Sequence, residues 1–161
     1  MKKISKFIYS FFIVFLIAFI SGYFTRLGIN AWYHRAVSSV FTPPDSVFPV
    51  VWTVLYTLIA LGFYVILLQP PSPQRTEAQA LFMSQLLLNA AWCFAFFGQG
   101  WLAAAFALIL IMIFLVYKTI KSFERTVSRS SCFLYPYLIW LCYAAFLNLL
   151  FVVNNGLIVE F

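Results

Sequence analysis

Acid is what this sequence has least of. Four Asp and Glu among 161 residues, and 9% charged residues in all, cannot cover a water-facing surface, since soluble domains run near 25% charged. A soluble enzyme of this size is excluded. Disorder is excluded too, because it needs low hydrophobicity and high charge, whereas 65% of the residues are hydrophobic and the mean hydropathy is +0.99. Histidine occurs once, as His34, and Cys93, Cys132 and Cys142 make neither a C-x-x-C pair nor a Cys/His cluster. No metal site is expected from that set, and cysteines scattered through apolar runs say nothing about redox compartment. What is abundant is aromatic, with 20 Phe, 9 Tyr and 5 Trp. That is more ring than membrane spans require.

The apolar residues fall into five runs, at 7–24, 47–68, 78–97, 101–117 and 132–153, each close to the roughly 20 residues of a bilayer-spanning helix. None shows strand alternation, and continuous runs of this length read as helices. The expectation is an all-α membrane protein: one domain over residues 1–161, with five transmembrane helices in a single bundle. The first run follows Lys2, Lys3 and Lys6, as a signal peptide would, but it is a full span without an A-x-A-like exit, so it reads as a retained helix. The fourth run is short, with Lys118 and Lys121 placed to snorkel outward. Between the runs lie a long loop at 25–46, the breaker Pro70-Pro71-Ser72-Pro73, a tight turn at Gly98-Gln99-Gly100 and a basic loop at 118–131. Long ordered loops in small proteins are usually functional.

The net charge of +6 follows this topology and is no sign of nucleic acid. Five spans put Lys2, Lys3, Lys6, Arg75, Lys118, Lys121, Arg125 and Arg129 on one side, and Arg26 and Arg35 on the other. The basic side is expected to be cytoplasmic, leaving the N-terminus inside, and the first loop and C-terminus outside.

Polar and bulky aromatic residues inside the spans share helical faces: Pro49, Trp52 and Tyr56 on the second; Gln85, Asn89, Trp92 and Phe96 on the third; Tyr137, Trp140, Ala144 and Asn148 on the fifth. Such residues face the bundle interior. One reading is interhelical hydrogen bonding worth about 0.6–2 kcal/mol each. The other is an aromatic-lined cavity with a few placed polar groups. Trp101, at a helix start, suits an interfacial anchor. Pro43-Pro44-Asp45-Ser46 reads as a helix start capped by Asp45 or Ser46. Pro49 and Pro136, read as one turn inside their helices, are expected to kink them.

Trp32-Tyr33, Pro43-Pro44 followed by "FPVVWTVLY", then "QLLLNAAWCFAFFG" and "LYPYLIWLCYAAFLN" occur in an order and spacing that resemble the TspO/MBR family of tryptophan-rich sensory and translocator proteins. The resemblance implies a five-helix membrane protein, often a homodimer, whose members bind porphyrins, sterols and benzodiazepine-site ligands. Carried over position by position, it implies that Trp52 and Trp140 flank a ligand cavity. Asn89 and Trp92 supply its polar-aromatic face, Ala144 lines it, and Trp32 and Tyr33 close over it. Pro49, Tyr56, Gln85 and Asn148 join the candidate binding residues from their shared faces. Two departures stand out. Ser38-Ser39 replaces the family's usual Lys-Pro, and the late fifth-helix sterol pattern of animal members is missing, with Leu149 at its tyrosine position. A cholesterol-specific role is not expected. A bacterial member in the cytoplasmic membrane is.

The expected function is therefore binding of tetrapyrroles, protoporphyrin IX or haem, as ligand rather than obligatory cofactor, in transport, sensing or stress regulation. The expected mode is a porphyrin disc stacked between Trp52 and Trp140, with Arg26, His34 and Arg35 read either as ordinary juxtamembrane charges or as partners for its propionate. The resemblance also implies light-dependent porphyrin breakdown in some members, with Trp52 and Trp140 as electron donors. No acid–base dyad, nucleophile–base pair or metal cluster accompanies them in the spans, so catalysis here would be photochemical or radical. A third expectation is a membrane scaffold or sensor whose ligand modulates a protein partner.

Overall fold

The computed structural model describes residues 2–159, and the extreme ends of the domain expected over 1–161 lie outside the described residues. Helix α1 (Lys3–Gly28) continues through a π-helical turn, Ile29–Tyr33. Helix α2 is Val47–Leu68, and α3 (Pro73–Cys93) runs into a second π-turn, Phe94–Gly98. Helix α4 is Leu102–Thr126, and a 3-10 turn, Ser130–Phe133, leads into α5, Tyr135–Asn155. Among the described residues these give five helices long and apolar enough to cross a membrane, and no strand.

Several boundaries differ from those the hydropathy predicts. Helix α4 runs to Thr126, so Lys118 and Lys121 are helical and the basic loop shrinks to residues 127–129. No Gly or Pro interrupts 102–126. The charged extension is tied down by Lys121 Nζ–Glu124 Oε2 at 2.9 Å and by Arg125 Nη2–Glu77 Oε1 at 3.1 Å, across to α3. Hydropathy reports where a helix can meet lipid, not where it ends. The first loop likewise shortens to 34–46, because α1 turns on to Tyr33.

The proline expectations need correction. Pro49 is the third residue of α2 and Pro136 the second of α5, both in the first turn, where no intrahelical N–H bond is lost. They start helices rather than kink them. The α2 cap is also different: Ser46, just before Val47, makes no side-chain cap bond, and the Asp45 carboxylate lies 3.2 Å from His34 Nε2 instead. Only α3 has the anticipated kind of start, Ser72 Oγ accepting from the Arg75 N–H at 3.1 Å with Pro73 at the first position.

Helix α1 packs on α2 and α3, α3 on α4, and α4 on α5, while α2 and α5 meet only lightly. One end of the bundle is held by Ser10 Oγ donating to the Ala60 carbonyl at 2.6 Å, and by Phe63 stacked on Phe82 with centroids 4.1 Å apart. At the other end α1 comes against the second π-turn through Gly28, where a Cβ would lie 2.4 Å from the Phe97 carbonyl oxygen. The 34–46 loop is latched to α5. Asn155 Oδ1 accepts from the Val37 N–H at 2.8 Å, its Nδ2 donates to the Val37 carbonyl at 3.0 Å, and the Tyr143 hydroxyl donates to the Phe41 carbonyl at 2.7 Å.

Candidate functional site

Where α1 and α2 separate, a cleft of about 400 Å³ opens, with α3 behind it. On α1 it is lined by Ala18, Ser21, Gly22, Thr25 and Arg26, which recur at i, i+3, i+4, i+7 and i+8 and so form one face, and Ile29 of the following π-turn continues that wall. On α2 the wall is Pro49, Trp52, Thr53 and Tyr56, and Cys93 closes the back. Phe15, Gly22, Pro49 and Thr53 are exposed at its edges, so the cleft opens sideways between α1 and α2.

Its hydroxyl hydrogens are already used. Thr25 Oγ1 donates to the Ser21 carbonyl at 2.9 Å and Thr53 Oγ1 to the Pro49 carbonyl at 2.7 Å. Ser21 Oγ and Tyr56 Oη both donate to Asn89 Oδ1, at 3.3 and 2.6 Å. Asn89 Nδ2 in turn donates to Tyr137 Oη at 3.3 Å, and the Tyr137 hydroxyl to Met112 Sδ at 3.4 Å. This chain ties α1, α2, α3, α4 and α5 together at one level. Arg26 is the one charged side chain among the described residues lining the cleft.

The residues singled out from the sequence do not surround one pocket. Pro49, Trp52 and Tyr56 line the cleft, and Asn89 sits behind it, bonded to Tyr56. Tyr33, Trp92, Ala144 and Asn148 border a separate void of about 30 Å³, room for one water molecule. There Trp92 Nε1 donates to Asn148 Oδ1 at 3.2 Å, and Asn148 Nδ2 to the Leu102 carbonyl at 3.0 Å. Trp140 faces an apolar groove of about 600 Å³ between α2 and α5. Trp32 is buried, its Nε1 donating to the Phe97 carbonyl at 3.0 Å, beside a smaller polar hollow with Arg35 and Asn155. Gln85 is fully buried, and neither its Oε1 nor its Nε2 has a hydrogen-bond partner among the described residues. It lines none of these spaces.

The stacked disc between two tryptophans is also corrected. Trp52 and Trp140 meet edge to face, centroids 6.5 Å apart at 85°. A flat ligand between them needs parallel faces about 7 Å apart, two contact distances of about 3.5 Å. Trp52 instead stacks on Tyr56 at 5.3 Å and 28°, forming one wall. Of the three cations considered for a propionate, His34 is paired with Asp45 and Arg35 donates to the Ala31 carbonyl of its own helical segment. Only Arg26 reaches the cleft.

Apart from Arg26, the α1 wall is not legible in the sequence. Its signal was Ser21-Gly22 followed by Thr25-Arg26, small and polar residues one turn apart inside a span otherwise rich in Phe and Ile. Cys93 carried no signal beyond its place on α3.

The sequence model of the TspO/MBR family matches residues 10–153. The chain is 32% identical over 147 residues to the Tryptophan-rich protein TspO of Archaeoglobus fulgidus, covering 91% of this chain and 94% of that protein. It is 33% identical over 136 residues to the Tryptophan-rich protein TspO of Chlorobaculum tepidum, covering 82% and 84% respectively. Against the Translocator protein of Ovis aries the identity is 32% over 119 residues, 73% of this chain and 70% of that protein. The family match takes in every residue that lines the cleft.

Proposed function

The chain belongs to the TspO/MBR family of integral membrane proteins, and from that premise we propose that it binds porphyrins and similar flat hydrophobic ligands in the α1–α2–α3 cleft. The observation that carries this reading is the cleft itself: about 400 Å³, within the size range of ligand sites, walled by the Trp52–Tyr56 stack. The tetrapyrrole lies flat against Trp52, a contact worth about 1–3 kcal/mol by analogy with bases stacked on aromatics. Tetrapyrrole transport, sensing or stress regulation is the role proposed for that binding. The basic end of the bundle is proposed to face the cytoplasm of a bacterial cell.

The test is to fill the cleft. Gly22 lines the cleft and a Cβ there would meet nothing within 4 Å, so Gly22→Phe adds bulk at the cleft wall without a clash at its first side-chain atom. Titration of purified protein with protoporphyrin IX, followed by fluorescence quenching, is expected to show affinity at least about tenfold weaker, or about 1.4 kcal/mol, with an unchanged melting temperature. Wild-type affinity in that variant would place the ligand elsewhere.

A second reading, light-dependent porphyrin breakdown, is favoured by Trp52, which lines the cleft and contacts both Tyr56 and Trp140. Under illumination, bleaching of the bound tetrapyrrole is expected to exceed that of free porphyrin in detergent and to fall in Trp52→Phe. Equal bleaching in all three samples removes it.

A further inference from the structure

We propose that the cleft selects ligands bearing a carboxylate at the edge of an apolar body, and that Arg26 is the residue that reads that group. The inference rests on the cleft being the binding site. It comes from an account of donors. The hydroxyl hydrogens of Ser21, Thr25, Thr53 and Tyr56 are all donated to protein acceptors. No carboxylate of the protein lines the cleft among the described residues. Besides the weakly donating Cys93 thiol, two lining side chains keep donors with no partner among the described residues: the Trp52 indole N–H and the Arg26 guanidinium. Both ask the ligand for an acceptor, and one of them carries a fixed positive charge.

Geometry gives the ligand a direction. Phe15 and Arg26 both line the cleft from α1, and their spacing along the helix corresponds to about 16 Å at 1.5 Å per residue. Phe15 and Ala18 make one end apolar, the hydroxyl-bearing stretch is internally satisfied, and Arg26 stands toward the other end, one turn before Ile29. A guanidinium at the edge of low-dielectric surroundings gains from a planar anion it can hold bidentately. A carboxylate supplies that match, and a neutral ester does not. Two sources share this chemistry, the propionate of a tetrapyrrole and the headgroup of a free fatty acid.

Two acid–ester pairs separate them: protoporphyrin IX against its dimethyl ester, and palmitate against methyl palmitate. Binding is measured to wild type, Arg26→Ala and Arg26→Lys in phosphatidylcholine nanodiscs. Wild type is expected to prefer each acid it binds by about tenfold or more, as a charge-assisted contact would give. Arg26→Ala is expected to lose that preference through weaker acid binding, with ester affinity unchanged, and Arg26→Lys to recover part of it. Equal affinity of wild type for acid and ester, or a preference that survives in Arg26→Ala, overturns the assignment. Arg26-dependent preference for palmitate alone, with no binding of either porphyrin, upholds the carboxylate assignment and removes the tetrapyrrole reading. Binding of neither acid removes both.

Discussion

Gly28→Ala is expected to lower the thermal stability of the protein sharply, although it adds a single methyl group and a better helix former. The new Cβ would lie 2.4 Å from the Phe97 carbonyl oxygen and 2.8 Å from both Phe97 Cα and Cβ. Most of what it meets is backbone, which cannot swing aside as a side chain can. The Phe97 carbonyl is also held in place by the Trp32 indole N–H at 3.0 Å. Relief therefore requires α1 or the Phe94–Gly98 turn to move, and either motion strains that bond. Overpacking costs about 1–3 kcal/mol and a lost hydrogen bond about 1 kcal/mol. Replacing Gly by Ala within a helix returns up to about 1 kcal/mol. The net loss is about 1–3 kcal/mol, or several degrees in melting temperature at about 2–4 °C per kcal/mol. Gly22→Ala is the control, because its Cβ would meet nothing within 4 Å. It should melt at or slightly above the wild-type temperature. A Gly28→Ala protein that melts with wild type would mean that α1 and the π-turn are not in this contact.

Asn89→Leu is the second large effect. Leu keeps the branching and the number of side-chain heavy atoms, though its methyl groups are bulkier, and the substitution removes the acceptor used by Tyr56 and Ser21 and the donor to Tyr137. Asn89 and Tyr137 are buried at relative exposures of 0% and 1%, so water cannot take their partners' place. Interhelical hydrogen bonds in membranes average about 0.6 kcal/mol with a maximum near 1.7, and orphaned hydroxyls add a desolvation cost. A loss of about 2–4 kcal/mol is expected. The decisive measurement is a double-mutant cycle with Tyr56→Phe, which deletes one of the orphaned hydroxyls. If the network is as described, the double variant is more stable than Asn89→Leu alone by about 1 kcal/mol. Strictly additive losses would show that Tyr56 and Asn89 are not coupled. Since Asn89 stands behind Tyr56 rather than in the cleft, any loss of ligand affinity in Asn89→Leu should come through a loosened Tyr56.

Both effects arise from contacts between helices, and that is where the sequence was least legible. The faces were readable: Trp52 with Tyr56, Asn89 with Trp92, Ala144 with Asn148 do share faces of their helices, because 3.6 residues per turn leaves no freedom in the matter. Which face meets which was not readable. The two asparagines, equally open to gluing the bundle or facing a ligand, form interhelical bonds to Tyr56 and Tyr137 in one case and to Trp92 in the other. Trp52 and Trp140 are neighbours, yet they face different spaces on either side of α2. The role of α1 in the cleft is not legible in the sequence because Ser21, Gly22 and Thr25 are small. Their importance comes from the room they leave, and that depends on what stands opposite.

The scarcity of acid by itself determined the solvent of this protein: with so few charges and such long apolar runs, only a bilayer satisfies the chain. The spacing of those runs determined five helices, and the tryptophan-bearing motifs determined the family. The tertiary structure alone decided where α1 ends against Phe97, which hydroxyls are spent on Asn89, and that Arg26 rather than His34 or Arg35 faces the cleft. The division has a physical cause. Transfer from water to lipid depends on the composition of a segment, which can be summed along the chain. A cavity or a hydrogen bond between helices depends on the rotation and depth of each helix relative to its neighbours, set jointly by packing from residues far apart in sequence.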